Sequence, residues 1–206
     1  MTTVAGPGGN LRTAAAVLPS MSSTQATPGH GDAVTSSPSP DDGPSLVGPD
    51  TFKAVFRQHP AGVAVVTFSD AGRPVGFTAT SVISVSADPP LLTFSIDSGS
   101  SSWPALAHTD TLVVNFLSAA QVEVSARFAT RDIDRFADGG WTLLPTGEPV
   151  LDGSPSWVRG RVVQRTAIGR SFLVSVLALE AAQSSSAAPL VYHDRTYHAV
   201  GEHTVL

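Results

Sequence analysis

From residue 61 onward, apolar positions gather into short runs separated by turn formers. Val63–Phe68, Phe77–Val85, Leu91–Ile96 and Leu112–Leu117 are rich in β-branched residues. Asp70-Ala71-Gly72, Asp88-Pro89-Pro90 and Asp97-Ser98-Gly99 punctuate them. This pattern predicts strands, as do Trp157–Arg165, Phe172–Leu179, Leu190–Tyr192 and Thr196–Val200, the last two forming a hairpin around His193-Asp194-Arg195. Helical spacing is rarer. Phe52, Val55 and Phe56 share one face of a short helix capped by Asp50, running through His59 and stopped by Pro60. Ser118 opens a second helix, with Gln121 completing a capping box and Glu123 and Arg127 at i,i+4. No regular βαβ alternation is present, which argues against a doubly wound sheet. The pattern predicts a mainly β fold, a closed antiparallel barrel with a few short helices.

Composition divides the chain near residue 50. Gly, Pro, Ser and Thr fill 27 of the first 50 positions, and all 14 aromatic residues lie from Phe52 onward. Such a segment buries too little apolar surface to offset its ordering entropy. The expectation is therefore a disordered tail over residues 1–48 and one domain over 49–206. The absence of cysteine excludes disulfide scaffolds, thiolate metal sites and cysteine nucleophiles. A net charge of −5 argues against a nucleic-acid partner. No apolar run reaches membrane-spanning length and the start does not read as a secretory signal, so a cytoplasmic location with no membrane association is expected. The six histidines show no metal-ligand spacing, and GxGxxG, GxxxxGK[ST] and GxSxG are absent.

Two hydroxyl-rich clusters interrupt the strands. One is Thr78-Ala79-Thr80-Ser81, continuing to Ser84 and Ser86. The other runs from Ser95 through Asp97, Ser98, Gly99, Ser100, Ser101 and Ser102 to Trp103-Pro104. Ser102 is placed to cap a helix with Pro104 in its first turn, where free N–H groups suit a phosphate. Physics alone leaves open the plainer reading, a serine-rich turn and an ordinary cap.

A series of motifs in this order and spacing resembles the flavin reductase-like proteins, small reducing components of two-component flavin monooxygenases. The series begins with Phe56-Arg57-Gln58-His59-Pro60-Ala61-Gly62-Val63 and Gly76-Phe77-Thr78-Ala79-Thr80-Ser81. It continues through Asp88-Pro89-Pro90, Ser100-Ser101-Ser102-Trp103-Pro104, Ala126-Arg127-Phe128-Ala129 and Asp134-Arg135-Phe136. It ends at Pro189-Leu190-Val191-Tyr192-His193-Asp194-Arg195. The resemblance implies an FMN-binding split β-barrel, a homodimer, FMN or FAD as flavin, NADH or NADPH as co-substrate, and a separate oxygenase partner. It places Thr78, Ala79, Thr80, Ser81 and Ser84 along the isoalloxazine and ribityl chain. Asp97, Ser98, Ser100, Ser101 and Ser102 fall at the phosphate, flanked by Arg127 and Phe128. Tyr192, His193 and Arg195 fall near the nicotinamide nucleotide. Hydride passes between two carriers, so no protein residue is required as acid or nucleophile. The chain departs from the family at two points. Ser98 stands where a basic residue is common, and Gly169-Arg170-Ser171 stands where the family has Gly-Asp-His, which puts Ser171 on the nicotinamide side. A non-catalytic flavin module, or a flavoenzyme that keeps its flavin, is the alternative reading.

Overall fold

The computed structural model describes residues 45–184, 186–201 and 204–205. Most of the expected tail lies outside the described residues. In chain order the elements are α1 (Pro49–Arg57), β1 (Ala61–Gly62), β2 (Ala64–Asp70), β3 (Arg73–Ala79), β4 (Ile83–Ala87) and β5 (Pro90–Asp97). Then follow α2 (Trp103–Leu106), β6 (Thr111–Phe116) and a 3₁₀ turn, Ala119–Gln121, leading into α3 (Val122–Ala129). The remainder is β7 (Trp141–Leu143), β8 (Pro149–Leu151), β9 (Ser156–Ile168), β10 (Ser171–Gln183), β11 (Leu190–His193) and β12 (Thr196–Ala199).

Seven antiparallel strands form the main sheet in the order β3-β2-β6-β9-β10-β5-β4. Its edge strands β3 and β4 are consecutive in the chain, so residues 80–82 link one edge directly to the other. Ser81 in that link, the seam between the two edge strands, continues the β4–β5 pairing with its side chain. The Ser95 N–H donates to Ser81 Oγ at 2.9 Å, and the Ser81 hydroxyl reaches the Ser95 carbonyl at 3.2 Å. The result is the mainly β, antiparallel fold expected from the sequence, with β3 and β4 left as the two edges of the main sheet where the hydrophobic pattern predicts a closed barrel. The single strand expected over Phe77–Val85 is in fact two, because Ser81 replaces ladder bonds with side-chain bonds.

Core packing explains why Val63–Phe68 is apolar at nearly every position. Ala64, Val66 and Phe68 point into the barrel with Phe94, Leu112 and Val174, while Val63 and Val65 face outward onto Leu117, Phe128 and Leu190. A strand buried on both faces has no polar side to show. Gly76 lets α3 close on this outer layer, since a Cβ there would stand 2.8 Å from the Phe128 ring.

The expected caps differ in detail. Gln121 Oε1 accepts the Ser118 N–H at 3.0 Å, but what it caps is the 3₁₀ turn before α3. The N-cap of α1 is Gly48, with Pro49 at N1 and Asp50 in the first turn, and α1 buries none of its residues. No helix among the described residues is long and apolar enough to cross a membrane.

Candidate functional site

The seam positions the site. A wide cavity, about 700 Å³, opens between α1, the 80–82 link and the β11–β12 hairpin. Its walls include Phe52, Phe56, Thr80, Ser81, Ile83 and Tyr192. The hairpin turn holds two residues in the left-handed region, Asp194 (φ 44°) and Arg195 (φ 64°), as a type I′ turn requires. It is tied to α1 by the Asp194 N–H, which donates to the Arg57 carbonyl at 3.0 Å. Lys53, Arg57, His59, His193 and Arg195 also line this cavity, against the single acid Asp194. In a chain of net charge −5 this is a locally basic mouth, suited to drawing in an anion.

A second cavity, of about 250 Å³, shares Ser95 as a wall residue with the first. Thr78, Asp97, Ser100, Ser101 and Phe128 line it, joined by Arg131 and Arg135. The Asp97 carboxylate is folded into its own turn and accepts the Gly99 N–H at 2.7 Å. Arg135 is anchored on every side. It donates to the Thr130 carbonyl from Nε and Nη2, to the Gly76 carbonyl at 2.9 Å, and to the hydroxyls of Ser102 and Ser101 at 3.2 and 3.4 Å. Burial lowers its pKa from the usual arginine value; Asp132 opposes this and Arg131 adds to it. Arginine stays protonated nonetheless. All five N–H groups of Arg135 are thus spent inside the protein, so what it brings to the cavity is a fixed positive charge, while Arg131 and the hydroxyls of Ser100 and Ser101 are the donors available to a phosphate.

The structure brings together Thr80, Ser81, Tyr192, His193 and Arg195 in the wide cavity. Thr78, Asp97, Ser100, Ser101 and Phe128 meet in the narrow one. Ala79 is buried in the barrel core. Ser84 lies on a separate groove with Val82, Leu92 and Phe116. Ser102 stands at the N-cap of α2, with Pro104 in the first turn as expected, but its side chain makes no capping bond. Its hydroxyl is buried and spent on Gly76 and Arg135, because α2 has only four residues and the loop before it turns inward. Ser98 lies outside both cavities, its N–H donating to the Arg170 carbonyl at 2.9 Å. Arg127 pairs with Asp138 at 3.2 Å rather than with Glu123, and it lines neither cavity. Ser171 sits opposite Asp97 in the β5–β10 ladder, outside the cavity of Tyr192–Arg195. Arg131, Arg135 and the cations of α1 were not singled out from the sequence. The available signal was Asp134-Arg135-Phe136, a motif in the series whose arginine had been given no role.

Residues 56–201 match the flavin reductase like domain. The chain belongs to the flavin reductase-like family. It is 46% identical over 152 residues to an NADH:FMN oxidoreductase of Rhodococcus qingshengii, covering 71% of this chain and 79% of that protein. It is 31% identical over 156 residues to HsaB, the reductase subunit of a flavin-dependent monooxygenase of Mycobacterium tuberculosis, covering 75% and 83%. The solved structure of a flavin reductase domain protein from Arthrobacter sp. FB24 superposes with a TM-score of 0.71 at 39% identity, covering 74% of this flavin reductase-like chain and 95% of the other.

Proposed function

We propose that this chain is an NAD(P)H-dependent flavin reductase supplying reduced FMN or FAD to a separate oxygenase component. The observation that carries the reading is the pair of neighbouring cavities on either side of Ser95, one wide and aromatic-walled, the other narrow, basic and hydroxylated. Those two chemistries match the two ends of a flavin, a flat ring system and a terminal phosphate. When bound, the flavin supplies the redox chemistry, taking a hydride from the reduced pyridine nucleotide.

The protein's own residues bind and orient. Thr80 and the backbone of the 80–82 link hold the ring edge, and Ser100, Ser101 and Arg131 hold the phosphate, with the anchored Arg135 adding its charge. Tyr192 and the aromatic face of α1 wall the space left for the nicotinamide. The basic mouth formed by Arg57, His59, His193 and Arg195 attracts the anionic nucleotide. Alignment of the two rings is what such a site contributes to rate.

A second copy of the chain completes the particle in this reading. Phe52, Val55 and Phe56 on α1, with Ile83 and Val85 on β4, are each more than half exposed, an apolar surface of the kind that marks interfaces. The test of the function is NADH consumption at 340 nm, together with the visible spectrum of the purified protein. Expected are a nearly colourless protein and consumption that depends on added FMN or FAD. A yellow protein whose turnover ignores added flavin would contradict release to a partner; no NADH consumption with either flavin would contradict the reductase reading.

A further inference from the structure

Helix α3 reaches toward both cavities. It carries Phe128 and Ala129 into the wall of the narrow one. Its Ser125 carbonyl accepts the hydroxyl of Thr78, which lines the same space, at 2.7 Å. Toward the β11–β12 hairpin, the Ser125 hydroxyl shares a hydrogen bond with the Tyr197 hydroxyl at 2.9 Å. Ser125 is 0% exposed, so its hydroxyl has no water to turn to if that bond is lost. Tyr197 lines neither cavity. It stands on β12 directly opposite Tyr192 on β11, and the two rings meet at 5.2 Å, tilted by 59°. Tyr192 in turn walls the wide cavity, as does Ala61, its partner in the β1 ladder. Direct contacts therefore run from Ser125 through Tyr197 to the wall at Tyr192.

The hairpin needs such an anchor. β11 and β12 have four residues each, and β12 is the edge of the sheet β1-β11-β12. On the other side of β11, β1 has only two residues. At the turn, the Asp194 N–H is held by the Arg57 carbonyl of α1. That helix buries none of its own residues and is a weak support. The Tyr197–Ser125 bond is fastened instead to α3, whose Phe128 is packed into the outer core layer with Val63, Val65 and Leu190.

We infer that Tyr197 is a positioning residue: its hydroxyl, docked on Ser125, fixes the hairpin and so holds Tyr192 in the wall against which the nicotinamide rests. The inference rests on the reductase reading above and adds to it a residue that touches neither flavin nor nucleotide. The ring of Tyr197 packs, and its hydroxyl sets where the hairpin stands. A wall held less firmly binds the nucleotide less well in ground state and transition state alike, so the effect falls on KM rather than kcat.

Steady-state FMN-dependent NADH oxidation by the full chain tests this, with melting temperatures measured alongside. Tyr197→Phe keeps the ring and removes the hydroxyl. Ser125→Ala removes the other hydroxyl and keeps the carbonyl that Thr78 uses. Each is expected to raise the KM for NADH about fivefold, while kcat and the KM for FMN stay within about twofold. The double variant is expected to be no worse than either single one, since both changes break the same bond. If one single variant does not fold, the other decides the matter. An unchanged KM for NADH, whatever the melting temperature, would overturn the inference. So would an equal rise in the KM for FMN, or a double variant in which the two effects multiply. A wild type that oxidises no NADH with added FMN or FAD would instead refute the reductase reading on which the inference stands.

Discussion

Arg195 concentrates the tension between stability and function at a single residue. It sits in the left-handed region at φ 64°, a conformation costing a side-chain-bearing residue about 1 kcal/mol that glycine does not incur. It also lines the basic mouth of the wide cavity. Arg195→Gly is therefore expected to raise stability by about 1 kcal/mol in urea unfolding while raising the KM for NADH several-fold. A destabilised variant with unchanged KM would contradict both halves. Glu148 poses a different question, because it is 2% exposed and far from the seam. Burial alone would raise its pKa. Hydrogen bonds from Arg159 at 2.9 Å, from Thr111 and from Thr146 outweigh burial and hold it at about 2, below the ordinary 4.5. A carboxyl depressed in the folded state stabilises it above the unfolded pKa and loses that contribution as pH falls toward the folded value. The melting temperature is expected to drop between about pH 4.5 and 2, and Glu148→Gln is expected to flatten that part of the profile. Removing the partner instead, in Arg159→Ala, strands a buried charge at a cost of about 3–5 kcal/mol.

At the scale of elements, the long β9–β10 hairpin depends on Gly160. A Cβ there would stand 2.4 Å from Val176 Cγ1 and 2.7 Å from the Leu177 carbonyl, beside the irregularity between Ala178 and Glu180. Gly160→Ala is expected to cost about 3 kcal/mol, whereas Gly62→Ala, in extended backbone with nothing within 4 Å, is expected to be silent in the same unfolding assay. Strands buried on one or both faces were legible in the sequence because burial writes itself as apolar runs. The Thr80–Val82 break was not. Small hydroxyl residues suit a strand and a turn equally, and what decides is Ser81 meeting Ser95 on β5, a tertiary contact. The short strands β7 and β8 carried too few residues to show a period. Helical spacing sets Arg127 beside Glu123 and the family resemblance sets it beside the phosphate, but its partner Asp138 lies 11 residues away in an irregular loop. The same loop delivers Arg131 and Arg135 to the narrow cavity. Loop geometry has no periodic signature, so the hydroxyls of the narrow cavity, the proposed phosphate site, are visible in the sequence and its cations are not.

At the scale of the whole molecule, the apolar residues of α1 and β4 are expected to be covered by a second copy. Sedimentation is expected to report about twice the 21.2 kDa chain mass, and a monomer at micromolar concentration would contradict that assembly. The central claim is that flavin and nucleotide meet in the cavity at the barrel seam. Thr80 faces that cavity and is exposed, without buried contacts to lose, so Thr80→Trp fills the space while leaving the core intact. The most direct measurement is FMN-dependent NADH oxidation by the wild type beside Thr80→Trp. The account predicts a rate for the variant more than 10-fold lower at an unchanged melting temperature. A variant as active as the wild type would place the reaction elsewhere on the protein.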